Sequence, residues 1–296
     1  MYYIDLGSST IKVYQYSNKK LELMEEKSIL FKDYYTKEHG INEDCYANLL
    51  DYFRKLSYKN IMNKGNCKIY ATGIWREIPV LQAQTLKVDF SNINLNFNII
   101  SEEEENFYFQ KAMQGIYNRK KVLMVNMGGK TTELVLVDKG NITGKNNLKI
   151  GVADILEKFP MINDIEKCPK AEEIMDYGLK ILENEKLDYD PDCAVFTGGE
   201  LRFQKLLKYN LVPNDIFWDD IHQYMVSYDD LSKKNEEILY HVSIDELYNL
   251  MPNNPVWMSG AKAGAFLGQI IFHKTHSNII VPSDLNIMHG IVKLEG

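Results

Sequence analysis

Cysteine is scarce in this chain. Cys45, Cys67, Cys168 and Cys193 are the four present in 296 residues, and no two stand at a CxxC spacing. That argues against a disulfide frame or a cysteine zinc site and points to free thiols in a reducing compartment, most of them buried as small hydrophobes. Long apolar runs are missing too. No segment approaches the ~18 consecutive apolar residues of a membrane span. The start, Met1-Tyr2-Tyr3-Ile4-Asp5-Leu6-Gly7, shows no basic stretch followed by an apolar run, so no secretory leader is expected and a cytoplasmic location is. Positive charge is also in deficit, with 34 Lys and Arg against 41 Asp and Glu for a net charge of -7. Such a balance argues against nucleic-acid wrapping or adhesion to anionic membranes as the main task. A small polyanion would have to be held by a few converging groups.

What is present is a soluble, globular composition, with 45% hydrophobic, 11% aromatic and 25% charged residues, at a length suited to two domains. Met1 to Asp5 reads as a strand, Leu6-Gly7-Ser8-Ser9-Thr10 as a turn, and Ile11 to Tyr16 as an alternating second strand, with a third over Leu21 to Phe31. Asn48 to Leu56 has the spacing of an amphipathic helix. Lys68 to Thr72 and Asn98 to Ile100 read as short strands, and a helix follows Ser101 to about Tyr117. Lys121 to Asn126, the turn Met127-Gly128-Gly129-Lys130-Thr131-Thr132 and the strand Glu133 to Val137 then repeat the opening pattern. Asp192 to Phe196 leads into Thr197-Gly198-Gly199-Glu200 and a helix over Leu201 to Tyr209, and a small-residue helix runs from Ala261 to Phe272. The expected boundary is near Asn118-Arg119-Lys120, giving domains 1–120 and 121–296, while Leu211 to Pro255 carries little readable pattern.

A Gly/Ser/Thr turn between strands exposes several N–H groups on one concave surface and suits an anion. An acid at the end of the preceding strand can hold a divalent cation against phosphate oxygens. One such turn also serves simply to join a hairpin; two in equivalent places, with Thr197-Gly198-Gly199 after another strand, are more specific. Phosphate contacts are therefore expected from Gly7, Ser8, Ser9, Thr10, Gly128, Gly129, Lys130, Thr131, Thr197, Gly198 and Gly199.

Asp5-Leu6-Gly7-Ser8-Ser9-Thr10 and Met127 to Glu133 resemble the two phosphate loops of the actin-like ATPase superfamily. Ala71-Thr72-Gly73-Ile74-Trp75-Arg76-Glu77, Ile100-Ser101-Glu102-Glu103-Glu104-Glu105, Thr197-Gly198-Gly199 and Ser283-Asp284 ahead of Gly290 follow in the order of the exopolyphosphatase/guanosine pentaphosphate phosphatase family. The chain resembles a short, two-domain, divergent member over nearly its whole length. The resemblance implies an α/β fold of duplicated actin-like (ribonuclease H-like) domains with a cleft between them. It also implies Mg²⁺-assisted hydrolysis of a terminal phosphoanhydride in polyphosphate or a guanosine pentaphosphate-type nucleotide. By that resemblance Glu105 is the general base, Glu133 a second acid of the site, Arg76 a phosphate clamp, and Asp5 with Glu133 the metal-side carboxylates. The partner implied is a small phosphate-bearing ligand, and a homodimer is compatible with it.

Other roles fit the same residues. Ser101 with Glu104 makes a helix capping box, Arg76 beside Glu77 can be a surface pair, Lys12 a solvated strand residue and His289 a structural histidine. The 19 tyrosines lack basic interleaving and suit packing rather than base stacking. The chain also departs from the family pattern. Asn126 stands for an Asp that would help bind Mg²⁺ and weakens that site, Lys130 for a third glycine, and Asp154 for an Arg. Glu200 replaces a small hydroxyl residue, and Met288-His289 replace Arg and Glu. A compact ligand is favoured over long-chain polyphosphate. Beside the phosphatase stand two other readings: a catalytically weakened phosphate- or nucleotide-binding regulator, and a kinase-like ATPase of the wider superfamily.

Overall fold

The computed structural model describes residues 1–29, 31–113, 120–217, 221–252 and 254–295, and the side chains among them other than those of residues 32, 33 and 106. Asn118 and Arg119 of the expected boundary, and the end of the helix expected to reach Tyr117, lie outside the described residues.

The chain forms two compact units, Met1–Ala112 with Ile287–Gly296, and Met113–Asn286. In the first, β1 (Tyr2–Leu6), β2 (Thr10–Ser17) and β3 (Lys20–Ser28) make an antiparallel meander. A small hairpin, β4 (Tyr35–Thr36) with β5 (Gly40–Ile41), precedes helix α1 (Glu43–Asn60). Strands β6 (Cys67–Ala71) and β7 (Phe97–Ile99) then join in parallel, for a sheet order β3-β2-β1-β6-β7. Helix α2 (Val80–Asn92) makes the crossover between them, as parallel strands require. Helix α1 starts where Asn42 Oδ1 accepts from Cys45 N at 2.9 Å, and it buries the stripe Cys45, Leu49, Leu50, Phe53 and Leu56. The third strand stops at Ser28, short of the expected Phe31. The Phe31 ring turns inward onto Trp75, 4.9 Å between centroids, and opens a 3₁₀ turn instead. Burial of a large aromatic outweighs continuation of an edge strand.

The second unit repeats this plan. β8 (Lys121–Met127), β9 (Thr132–Asp138) and β10 (Asn141–Leu148) form the meander, and β11 (Cys193–Phe196) pairs in parallel with β8. Strands β12 (Val212–Pro213), β13 (Tyr224–Ser227) and β14 (Ile279–Pro282) complete the order β10-β9-β8-β11-β14-β13-β12. Its first five strands match the first unit in order and sense, so the duplication read from the turns is one of topology.

Helix α3 (Glu102–Met113) follows β7, and α4 (Val152–Lys158), α5 (Ala171–Ile181) and α6 (Glu200–Leu206) belong to the second unit. The stretch from 211 to 255, which the pattern left blank, holds β12, β13, α7 (Tyr228–His241) and α8 (Ile244–Leu250), the two helices capped by Ser227 and Ser243. Helix α9 (Ala261–Lys274) is buried nearly throughout; Gly268 lets it approach the sheet, since a Cβ there would press into the Phe196 ring at 2.8 Å. Cys45, Cys67 and Cys193 are buried, Cys168 partly so, and all four are free thiols. No helix among the described residues is long and apolar enough to cross a membrane.

The last helix, α10 (Ile287–Glu295), departs from a simple split at residue 120 by clustering with the first unit. Glu295 accepts from Tyr3 Oη at 2.8 Å and pairs with Lys68 Nζ at 2.7 Å. Gly290 sits against the Tyr108 carbonyl, where any Cβ would collide with backbone. Gly290→Ala is accordingly expected to cost about 1–3 kcal/mol, the usual penalty of overpacking, read as a lowered urea midpoint.

Candidate functional site

In both units the candidate residues gather at the carboxyl ends of the parallel strands, where open α/β sheets bind ligands. In the first unit the turn after β1 closes with Gly7 N donating to Thr10 O at 2.9 Å. It is braced from the turn after β6. Trp75, 1% exposed, donates its indole N–H to Gly7 O at 3.1 Å, and Ser8 Oγ accepts from Ile74 N at 3.0 Å. Gly73 is required there, at φ +64, because a Cβ would run into the Ser8 hydroxyl. The first loop and the Arg76 turn are therefore one rigid assembly.

Arg76 Nη1 donates to Glu105 Oε2 at 2.7 Å and to the Ile100 carbonyl at 3.4 Å. The expected base and the expected clamp are brought together, each side chain slightly under a third exposed. Glu105 sits in the first turn of α3, and the capping box is present: Ser101 N donates to Glu104 Oε2 at 2.8 Å, and Glu104 N to Ser101 Oγ at 3.1 Å. Capping and chemistry thus fall on neighbouring carboxylates. Asp5 pairs across the hairpin with Lys12. Its residue keeps some exposure, but the carboxyl is deep, and burial pushes it up to about 6, with Lys12 opposing and Glu105 and Glu26 adding to the rise.

In the second unit the turn after β8 closes in the same way, Gly128 N to Thr131 O at 2.8 Å. Here the brace is the start of α4. Val152 N donates to Gly128 O at 3.0 Å and Ala153 N to Gly129 O at 2.8 Å, and Gly151 leaves the room, since a Cβ would lie 2.4 Å from the Gly129 backbone. Asn126 Nδ2 donates to Glu133 Oε2 at 3.4 Å across the hairpin. Lys130 Nζ reaches Glu157 at 2.6 Å and Asp154 at 3.2 Å, and these partners, Glu157 first, raise its pKa. Asp154 also caps α4, its Oδ2 accepting from Gly151 N at 2.8 Å. Lys130 and Asp154, both read above as departures from the family pattern, are thus paired with each other.

Thr197 turns inward. Its hydroxyl donates to the Val125 carbonyl at 3.1 Å and the residue is 2% exposed. Gly198 and Gly199 take φ +100 and +108, so the Gly-Gly step is a backbone requirement of this turn. Beside it lies a cavity of about 160 Å³, lined among others by Met127, Gly198, Glu200, Phe203, Trp257 and Gly264. Burial, and then the charge of Asp284, push the Glu200 carboxyl up to about 8. Asp284 in turn accepts from Arg202 N at 3.2 Å. Trp257 carries no sequence signal because it lies between the patternless stretch ending at Pro255 and the small-residue helix from Ala261; Glu200 was visible as a departure, without its environment.

Mg²⁺ is usually held by one or two carboxylates together with substrate phosphates. Among the described residues no three His, Cys, Asp or Glu converge as a metal-holding group. The Asp5 carboxyl faces Lys12, and Glu133 is covered by an amide. The described residues therefore offer no cage that would hold Mg²⁺ without a phosphate ligand.

No protein-family model matches the chain. It is 23% identical over 284 residues to a bifunctional 3-dehydroquinate synthase/phosphatase of Fusobacterium nucleatum, an alignment covering 93% of this chain and 41% of that protein. The chain thus spans less than half of that relative's length. Among solved structures, the Ppx/GppA family member of Aquifex aeolicus superposes with a TM-score of 0.70 at 20% identity, covering 99% of this chain and 96% of that one. An exopolyphosphatase from Cytophaga hutchinsonii superposes with a TM-score of 0.71 at 14% identity, with coverages of 99% and 96%. The chain has the duplicated actin-like fold of those structures.

Two outcomes follow from this geometry. A carboxyl raised from 4.5 to about 8 on folding favours the protonated native state, so its contribution to stability is complete below pH 4.5 and is lost as pH rises through 8. Glu200→Gln should therefore gain stability relative to the natural chain steadily between those limits, followed by urea midpoints across pH. Asn126→Asp sets a second carboxylate beside Glu133, and millimolar Mg²⁺ should raise the melting temperature of this variant by a few degrees while leaving the natural chain unmoved.

Proposed function

We propose that this chain is a phosphatase that hydrolyses a terminal phosphoanhydride of polyphosphate or of a guanosine pentaphosphate-type nucleotide, with Glu105 as general base. The observation that carries the proposal is the 2.7 Å Arg76–Glu105 pair on a turn bolted to the Gly7–Thr10 loop. A fold shared with exopolyphosphatase structures and a distant relative named in part as a phosphatase support it.

Phosphoryl transfer asks mainly for positioning and charge neutralisation. The N–H groups of a Gly7–Thr10 type of turn cradle phosphate oxygens, and the planar fork of Arg76 binds two of them at once. An arriving phosphate competes with Glu105 for that guanidinium. Capture of Arg76 by the ligand releases the carboxylate to accept a proton from water as its oxygen attacks the terminal phosphorus. The P–O bond to the leaving phosphate breaks, and the leaving oxygen takes the electron pair. No step is routed through a metal.

In the second unit, the loop Gly128–Thr131 offers the same kind of N–H surface, and Glu133 is the second acid. One observation favours the other reading, a catalytically weakened binder: the Lys130 ammonium, the cation nearest that loop's tip, is already held by Asp154 and Glu157. Phosphate release from tripolyphosphate and guanosine nucleotides decides between them. The phosphatase reading expects release that falls about 10²–10⁴-fold in Glu105→Gln, the range for losing a general base. Absence of release in the natural chain, with phosphate ligands still bound, would establish the binder instead.

A further inference from the structure

The second turn carries its own positive charge, and acids of the same unit hold that charge. We infer that Glu157 occupies Lys130 in place of a ligand: a phosphate group arriving on the Gly128–Thr131 turn takes the ammonium from Glu157, so that Glu157 sets the affinity of the turn for polyanions. This rests on the phosphate-site reading above and deepens it.

The backbone of the turn is the first part of the argument. Gly128 N is spent internally, on Thr131 O, but the N–H groups of Gly129, Lys130 and Thr131 meet no acceptor among the described residues. Three consecutive donors on a surface turn suit the oxygens of a phosphate. The Lys130 side chain leaves from the middle of that run. Its ammonium is a point charge on a flexible stem, the form in which lysine commonly binds phosphate.

The two acids on Lys130 are not equivalent. Asp154 is committed to the fold: its Oδ2 accepts from Gly151 N at 2.8 Å, at the same start of α4 whose Val152 and Ala153 N–H groups hold the turn. Its Oδ1 lies 3.2 Å from Lys130 Nζ. Glu157, three residues further along α4, lies nearer at 2.6 Å, with its side chain 68% exposed and that of Lys130 54%. Among the described residues the Glu157 carboxylate has no hydrogen bond or ion pair other than Lys130. Its release costs the fold little, because exposed ion pairs add little to stability.

Charge balance decides which partner gives way. One ammonium stands between two carboxylates, and a phosphate needs that ammonium. Displacing Asp154 would strain a helix cap, whereas displacing Glu157 breaks only the ion pair. Asp154 then keeps the ammonium beside the turn while Glu157 swings into solvent. Asn126, whose amide covers Glu133 at 3.4 Å, adds no charge at the base of the turn, so Lys130 is the charge the turn offers.

The test is calorimetric titration with inorganic tripolyphosphate of the natural chain, Glu157→Gln, Lys130→Met and the double variant. EDTA is present throughout, so that no divalent cation stands in for the ammonium. Glu157→Gln should bind about two- to fivefold tighter, the range an exposed ion pair is worth. Lys130→Met should bind about tenfold weaker, as for a lost charge-assisted hydrogen bond. In the Lys130→Met background, Glu157→Gln should change nothing. Both substitutions fall on exposed side chains, and an unshifted melting temperature confirms that each variant is folded. Binding that emerges only once Glu157 is replaced is the same result in stronger form. A tightening that persists without Lys130 is general charge repulsion and overturns the proposal. So does an affinity unchanged, or shifted the opposite way, in either single variant; the phosphate-site reading survives both of these results. Absence of binding in every protein overturns both. Unaltered phosphate release in Glu105→Gln, with the Glu157 effect present, removes only the phosphatase mechanism.

Discussion

Each unit depends on a single short backbone hydrogen bond at the tip of its first hairpin, Gly7 N to Thr10 O in one and Gly128 N to Thr131 O in the other. That bond fixes where the first strand stops. The stop in turn sets the register with the parallel neighbour: Thr72 N donates to Leu6 O at 3.0 Å, and Thr197 N to Val125 O at 3.0 Å. From those strands the next ones are set, Ile100 N to Ala71 O and Ser283 N to Phe196 O. Three strand ends per unit are thereby aligned, and the candidate groups other than Thr10 and Glu133, which sit at the start of β2 and β9, are carried on or just after one of them. Because side chains alternate faces along a strand, a slip of one residue at the tip would turn the pairing residues Asp5 and Lys12, or Asn126 and Glu133, to opposite faces.

The two loops solve the same problem with different braces. In the first, side chains do the work, Ser8 and the Trp75 indole reaching across to a neighbouring turn. In the second, backbone meets backbone, and Gly151 is the residue that permits it. The difference explains why one loop can be Ser-rich while the other is Gly-Gly-Lys. A hydroxyl bracing the loop is unnecessary where the α4 N–H groups already hold the carbonyls of Gly128 and Gly129.

Much of this was legible in the sequence because it is local. The repeated strand–turn–strand pattern, the Ser101–Glu104 capping box and the glycines of the turns all lie within a few residues of what they do. The topology of the two sheets followed from the repeat. What was hidden depends on partners distant in the chain. The tie of Glu295 to Tyr3 spans 292 residues, and it, not any local signal, draws α10 to the first unit. Lys130 reads as an available cation until Asp154 and Glu157 are seen beside it, 24 and 27 positions away. Thr197 reads as a hydroxyl for phosphate, whereas its strand-end position makes the Val125 carbonyl its nearer acceptor. Trp257 has no pattern around it, and only the fold joins it to the Gly198 turn.

The net charge of -7 looked like an obstacle to any polyanion, and the structure shows how the charge is managed. Coulomb repulsion from a carboxylate acts only when it is ionised, and a cation held beside it offsets that repulsion. Glu105 is paired with Arg76, Glu133 takes the Asn126 amide, and Asp154 and Glu157 neutralise and are neutralised by Lys130. Glu200, raised to about 8 by burial, is mostly uncharged at neutral pH. Of the acids near the candidate loops, Glu105, Asp154 and Glu157 are thus paired with cations and Glu200 is mostly protonated, while Asp5 faces Lys12 across its hairpin. An acidic chain can present a phosphate-receptive turn where the charges next to it are paired, as Glu105 is with Arg76, by geometry that bulk composition does not reveal.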